Sequence, residues 1–341
     1  DVEIGFRLTV GTGFTGRVAR ERKTLVITEG AHEYVVSPTL KDAKIESMIG
    51  VPLVLSGRVL GVLHVGSLQP RRFTRDEIAL VELAAERAAR AIDHATLYER
   101  ERSAAETLQR ALLPAKLPKL DTLKTAVRYV PASDGVEIGG DWYDVIPLPN
   151  GEVGLALGDV TGHGLEAAVL MAQLRHGLRA YALDGLDPSA VVDRLDALIH
   201  SPNLENLATL VYATIAPDRS VRYVNAGHVP PLVIAADRTA RLLESESGLP
   251  VGCRHPSGYP AQETSLEPGD ILLLYSDGLV ERRGESIDDG IARLREVAVH
   301  GPTDPQELAD HILRALLPGA GGEDDIALLA VRPEPVPAGT G

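Results

Sequence analysis

Five aspartates lie where glycines meet apolar runs. Asp141 follows Gly139-Gly140 and opens Trp142 to Leu148. Asp159 follows the apolar run Val153 to Leu157, in the stretch Gly158-Asp159-Val160-Thr161-Gly162-His163-Gly164. Asp277 follows Ile271 to Tyr275, within Ser276-Asp277-Gly278, and Asp324 and Asp325 precede Ile326 to Val331. Taken singly, an aspartate beside glycine is an ordinary turn former. Taken together they have a geometric consequence. In an antiparallel sheet the start of one strand lies beside the end of its neighbour, so two strand starts and two strand ends can meet at one sheet edge. Four carboxylates gathered there repel one another unless cations neutralise them. An all-oxygen donor set suits Mg²⁺ or Mn²⁺ rather than zinc. Neither His163 nor His228 stands at a metal-ligand spacing such as H-E-x-x-H. His163 could donate a proton to a leaving group or anchor the glycine-rich turn, and its type and place fit both roles.

The elements that must position these residues are short strands, tight turns and a few helices. Strands are expected at Thr125 to Tyr129, Trp142 to Leu148 and Val153 to Leu157, with a turn from Gly158 to Gly164. A helix is expected over 164–183, and a second after the N-cap Asp187 with Pro188 in its first turn. Leu210 to Ala216 and Ser220 to Asn225 form one hairpin, and Pro231 to Ala235 and Ala240 to Leu243 another. Asn225-Ala226-Gly227-His228 reads as a structural turn supporting the site. The strand Ile271 to Tyr275 follows, then helices from Asp289 to Val299 and from Asp304-Pro305 to Leu317, and a last strand, Ile326 to Val331. Strand pairs with helices grouped between them predict an α+β fold with antiparallel sheets.

Upstream, Gly11-Thr12-Gly13-Phe14-Thr15-Gly16 matches G-x-G-x-x-G ahead of a helix-like Arg17 to Arg22. A dinucleotide site needs a hydrophobic βαβ unit around that motif. Here the preceding segment is polar and no parallel repeat follows. Val51 to Leu55 and Val59 to Val65 flank Ser56-Gly57-Arg58 as a hairpin. Thr74 and Glu77 form a capping box. From Asp76 to Leu113 there is neither Gly nor Pro, which predicts one long helix. Its stripe, Ile78, Val81, Ala85, Ala88, Ile92 and Ala95, should pack on the preceding sheet or on a partner helix. A homodimer through this helix is the corresponding expectation. The domain plan is a sensor-like unit over 1–95, a connecting segment over 96–117, a catalytic unit over 118–333 and a disordered tail over 334–341.

The 341 residues carry 48 acidic against 34 basic side chains, a net charge of -14. That balance argues against a nucleic-acid partner and against an anionic membrane surface. One cysteine, Cys253, excludes an internal disulfide framework and a Cys-based zinc site. It lies in PVGCRHPSG, which is no phosphate-cradling loop, and is expected to be a small packed residue. No apolar run is long enough to span a bilayer and no signal peptide is visible. A cytoplasmic location is therefore expected. The chain opens on Asp1 in a strand-like segment, from which further segments upstream are expected.

Two resemblances follow from the motifs. GTGFTGRVARERKTLVI, SMIGVPLVLSGRVLGVLHVGS and RRFTRDEIALVELAAERAARAI, in that order, resemble the second half of a GAF domain. The resemblance implies a small-molecule or partner sensor on a central antiparallel sheet, with the first elements of that family absent. GGDWYDVIPLPNGEVGLALGDVTGHGLEAAVLMAQLR, VRYVNAGHVPPLVI, GLPVGC, LEPGDILLLYSDGLVE and EDDIALLAVR resemble the stage-II-sporulation-E and RsbU branch of the PP2C-type metal-dependent phosphatases. LQRALLPAKLP, at 108–118, resembles the segment leading into that domain. This second resemblance implies a four-layer αββα sandwich holding two Mn²⁺ or Mg²⁺ ions at one sheet edge. Asp159 would bridge both ions, the Val160 carbonyl would bind one, and Asp277 and Asp324 would bind the other. Asp141 would hold metal-bound water or a further ion, with Asp325 a secondary candidate. The implied activity is hydrolysis of phosphoserine or phosphothreonine in a protein, with a phosphorylated anti-sigma-factor antagonist as the implied substrate. A catalytically inactive scaffold of the same fold is the alternative.

Overall fold

The computed structural model describes residues 9–37, 41–114, 116–132, 139–162, 164–200, 207–244, 248–253, 258–317 and 324–334, with the backbone alone at 101, 102, 105, 106, 109 and 110. His163, the segment before Thr9 and the tail after Glu334 lie outside the described residues. The chain divides into two compact units, Asp1–Glu101 and Arg102–Gly341.

The first unit is a three-stranded antiparallel sheet in the order β1-β2-β3, formed by Leu25–Ile27, Ser47–Leu55 and Arg58–Ser67. Helix α1, Gly13–Glu21, packs on one face through Phe14 and Val18, against Ile45 and Met48. The G-x-G-x-x-G motif enters this helix rather than preceding it. A Cβ at Gly16 would lie 2.6 Å from Thr9 O, so the third glycine serves a close turn of the chain on itself. Helix α2, Arg75–Leu112, lays its first stripe on the other sheet face. Ile78, Val81, Ala85 and Ala88 pack against Ile49, Val51 and Leu53. Of the two surfaces expected for that stripe, the sheet is the one it meets, while Ile92 remains exposed. The capping box forms as expected: Thr74 N donates to Glu77 Oε2 at 2.8 Å and Glu77 N to Thr74 Oγ1 at 3.2 Å.

The second unit stacks two five-stranded antiparallel sheets between two helix layers. One sheet runs β11-β8-β7-β6-β5: Gln262–Ser265, Ser220–Ala226, Ala208–Ile215, Val153–Val160 and Trp142–Pro147. The other runs β10-β9-β12-β13-β4: Ala240–Leu242, Leu232–Ile234, Ile271–Tyr275, Ile326–Pro333 and Leu123–Val130. Helices α3, Leu165–Leu183, and α4, Pro188–Ile199, cover the first sheet. Helices α5, Ile287–Val299, and α6, Pro305–Leu316, cover the second. The predicted α+β architecture is this one. Asp187 and Asp304 cap α4 and α6 with side-chain bonds to the first-turn amides, each ahead of a proline in the first turn. Among the described residues no helix is long and apolar enough to cross a membrane.

Alternation assigns each strand residue to a layer. On β6, Leu155 and Leu157 enter the core between the sheets, while Ala156 and Val160 face the helices. On β12, Leu272 and Leu274 face inward and Leu273 and Tyr275 outward. On β13, Ala327, Leu329 and Val331 face inward. The apolar inward series of several strands ends in polar residues at one common edge.

Candidate metal centre

Strand β6 continues through Gly158 and Asp159 to Val160. The expected turn is therefore shorter than its glycines suggest, and Asp159 is held in a strand. The reason is pairing on both sides: Asp159 lies opposite Thr209 of β7, and Gly158 opposite Trp142 of β5. The β5–β6 register, carried one step past Trp142, sets Asp141 opposite Asp159. The bond from Val160 N to Gly140 O, 3.2 Å, follows that extension. Asp159 shares the inward parity of Leu155 and Leu157, and Asp141 that of Val145.

The second sheet supplies the rest. Ser276 extends the inward face of β12, its N bonded to Ala327 O at 2.9 Å and its Oγ accepting from Ala327 N at 2.9 Å. Asp277 follows, opening a single 3₁₀ turn, and its Oδ1 accepts from Gly278 N at 2.9 Å. Asp325, 4% exposed, extends the inward series of β13. Its two oxygens accept from Tyr129 Oη at 2.7 Å and Ala132 N at 2.8 Å. Asp324 is exposed, and its Oδ1 accepts from Asp325 N at 2.8 Å.

The aspartates brought to this edge feel one another. Burial first, then the charge of Asp159, holds the Asp141 carboxyl well above the usual carboxylate range, with Asp277 and Asp325 adding to it and the Ser276 hydroxyl opposing. Burial, then Asp277, Asp324 and Asp325, pushes Asp159 up to about 8. Asp277 is raised by burial and then by Asp324. Asp141 is 2% exposed, and its Oδ2 is buried with no hydrogen-bond partner. A buried carboxylate oxygen left unpaired is costly, and several mutually repelling carboxylates compound that cost.

Backbone clearance is equally specific. A Cβ on Gly140 would fall 2.5 Å from Asp159 Oδ1 and against the Val160 carbonyl, and one on Gly139 would run into the Asp325 carboxylate. The glycine pair ahead of Asp141 therefore keeps open the space between carboxylates from both sheets. Among the described residues, no three carboxylate, imidazole or thiolate groups already stand in coordinating geometry. The orphaned Oδ2, the all-oxygen donors and the glycine clearance nevertheless fit hard divalent cations.

Sequence reasoning undervalues Asp325, whose burial and two bonds make it a structural member of the cluster. It also passes over Ser276 and Thr209, which are recognisable only once the inward parity of β12 and β7 is known. Cys253 is half-buried and free. Arg175 and Arg179 on α3 are committed to Asp144, which is 1% exposed and faces the helix layer. Arg179 Nη1 lies 2.9 and 3.0 Å from its two oxygens, and Arg175 Nε lies 3.3 Å from Oδ2.

Comparison with known proteins aligns with this architecture. The family model of stage II sporulation protein E (SpoIIE) matches residues 149–334, and that of a GAF domain matches 1–93. Phosphoserine phosphatase RsbU of Bacillus subtilis is 29% identical over 185 residues, covering 53% of this chain and 54% of that protein. Phosphoserine phosphatase RsbP of the same organism is 30% identical over 151 residues, covering 42% and 37%. The chain thus spans about half or less of the length of these two relatives. Among solved structures, the RsbU and RsbW domains of Rv1364c from Mycobacterium tuberculosis match with a TM-score of 0.58 at 30% identity, covering 65% of this chain and 63% of that one. The PP2C phosphatase domain of SpoIIE from Bacillus subtilis, with a fragment of its regulatory domain, shares the fold at a TM-score of 0.55 and 21% identity, covering 62% of each chain.

Proposed function

Because the chain belongs to the SpoIIE family, with a PP2C-type phosphatase domain preceded by a GAF domain, we propose that it is a metal-dependent protein-serine/threonine phosphatase. The observation that carries this reading is the cluster of Asp141, Asp159, Asp277, Asp324 and Asp325, in which burial and the neighbouring charges raise Asp141, Asp159 and Asp277 and Asp141 Oδ2 is left unpaired. Asp159, which faces carboxylates of both sheets, would be shared between two cations. The Val160 carbonyl would serve one, and Asp277 and Asp324 the other. Asp141 would stand across the strand pair from Asp159 and accept from a nucleophilic water. Asp325, tied to Tyr129 and Ala132, would hold the second sheet's ligands in place. Two bound divalent cations would supply an acidified water and screen the phosphate's negative charge.

The similarity to the phosphoserine phosphatases RsbU and RsbP supports a phosphoserine protein as substrate. The family resemblance points to a phosphorylated anti-sigma-factor antagonist. The test is release of inorganic phosphate from such a phosphoprotein with Mn²⁺, with Mg²⁺ and with chelator. Turnover that appears with metal and disappears with chelator is expected. Absence of metal-dependent turnover would leave the non-catalytic scaffold as the reading.

A homodimer through α2 belongs to the same proposal. Leu80, Leu83 and Leu97 are large, exposed and carried on one helix, and a second copy is their natural cover. Sedimentation equilibrium is expected to give twice the chain mass at micromolar concentration. A monomer at hundreds of micromolar would remove this part of the proposal.

A further inference from the structure

His228 follows β8 in a turn closed by its own chain: His228 N donates to Asn225 Oδ1 at 2.8 Å, and Asn225 Nδ2 donates to His228 O at 2.9 Å. With its backbone held at both ends, the imidazole reaches between the two sheets. Nδ1 lies 2.7 Å from Thr209 Oγ1 on β7, and Nε2 lies 3.1 Å from Tyr275 O at the end of β12. A carbonyl oxygen only accepts, so Nε2 carries the proton and donates to Tyr275. The neutral ring then has Nδ1 as an acceptor, and the Thr209 hydroxyl donates to it. Burial pushes this imidazole down to about 4, so it keeps one donor and one acceptor across the neutral range.

Both ends of this strut touch the carboxylate cluster at one remove. Thr209 is the residue paired with Asp159 across β6 and β7. Tyr275 is followed by Ser276, locked to Ala327, and then by Asp277. Asp141 and Asp159 belong to one sheet, and Asp277, Asp324 and Asp325 to the other. Most of the contact between the sheets is an apolar core of residues such as Leu155, Leu157, Leu272 and Leu274, and the bonds from Arg241 to Thr264 and Ser265 and from Tyr223 to Glu244 cross between the sheets on the β10–β11 side, away from the carboxylates. Apolar packing is non-directional. It holds the sheets together but does not fix the separation of their edges to the few tenths of an ångström that ligand geometry needs. A ring hydrogen-bonded to both sheets does.

We propose that His228 is a positioning residue of the cation site, a rigid strut that sets the spacing between the strand ends bearing Asp159 and Asp277. The proposal rests on the two-cation reading above and adds to it a residue that would not itself touch metal or substrate. Partners of this kind around a metal site typically change affinity by about 10- to 100-fold when removed.

The test is calorimetric titration of the whole chain with Mn²⁺ in the absence of substrate. His228→Phe keeps a ring and removes both bonds. Thr209→Val keeps the shape of the side chain and removes one. Tyr223→Phe, which removes the part-buried bond from Tyr223 Oη to Glu244 O at 2.8 Å, serves as a control for loss of a bond away from the carboxylates. Both His228→Phe and Thr209→Val are expected to weaken Mn²⁺ binding by about 10-fold or more, while Tyr223→Phe binds as the parent does. Parent-like affinity in a folded His228→Phe chain overturns the proposal. If His228→Phe does not fold, Thr209→Val decides, and parent-like affinity there overturns it equally. If the parent chain itself takes up no Mn²⁺, the two-cation reading fails and this proposal falls with it. Uptake by the parent with equal uptake by the variants sinks the strut alone.

Discussion

Replacement of Asp159 by asparagine is expected to remove metal-dependent phosphate release, by about a thousand-fold or more in kcat/KM, while making the metal-free protein more stable. The two halves of that expectation have one cause. Asp159 is the carboxylate that faces charges from Asp277, Asp324 and Asp325 of the opposite sheet, so it is the residue best placed to be shared by two cations. A thousand-fold loss corresponds to about 4 kcal/mol of transition-state stabilisation, in the range attributed to charge neutralisation by a bound ion. Without metal the same charge is a liability, and the neutral isostere relieves it. About 1 kcal/mol of relief would raise the midpoint of thermal unfolding by about 2–4 °C in a unit of this size. Measuring kcat/KM with Mn²⁺ beside the melting temperature in chelator separates the outcomes. Near-native turnover would refute the shared-ligand role, and loss of turnover with a lowered melting temperature would mean damage to the fold instead.

The second large effect is on the pH dependence of the metal-free protein. A carboxyl whose pKa is raised by folding binds its proton more tightly in the folded chain. Its favourable contribution is complete below the unfolded value near 4 and is lost as pH climbs through the folded value, which for Asp159 is about 8. Asp141 and Asp277 are shifted in the same direction. Between pH 5 and pH 8 the chelated protein should therefore lose stability with rising pH, by about 1.4 kcal/mol per unit for each proton held by the native state alone. Saturating Mn²⁺ should flatten that slope, since the cations replace the protons as neutralising charge. Urea unfolding at several pH values, with and without metal, reads both lines. A metal-free stability that rises from pH 5 to pH 8 would contradict the carboxylate cluster as described.

Much of this is legible in the sequence, for identifiable reasons. Apolar runs of five to eight residues bounded by Gly, Asn and Pro mark strands such as Ile271–Tyr275 without ambiguity. Caps at Asp187 and Asp304, each followed by proline, mark helix starts. The approach of Asp141 to Asp159 follows from the antiparallel order of β5 and β6, and Asp277 joins them because the second sheet packs with its strand ends at the same edge. Other features depend on long-range pairing that no local pattern announces. Gly158 and Asp159 look like a turn because glycine and aspartate favour turns, yet partners on both sides hold them in β6. Strand β11, Gln262–Ser265, is a short polar edge with no apolar alternation to reveal it. Asp325 looks secondary beside Asp324 because adjacent residues share a composition but not a face. His228 reads as part of a turn, which it is. Its reach to Thr209 and Tyr275 spans sequence separations of 19 and 47 residues.

The strand order has one further consequence. Strand β13 lies between β12 and β4, so the last strand of the unit in sequence enters the gap beside the first. A nascent chain that has not yet delivered β13 has an unpaired β4, an incomplete sheet and neither Asp324 nor Asp325. It holds only the portion of the carboxylate set contributed by the other sheet and by Asp277. On the metal-dependent reading, the full carboxylate set would form only with the completed fold, and a chain that stalls or is clipped before that strand would be inactive.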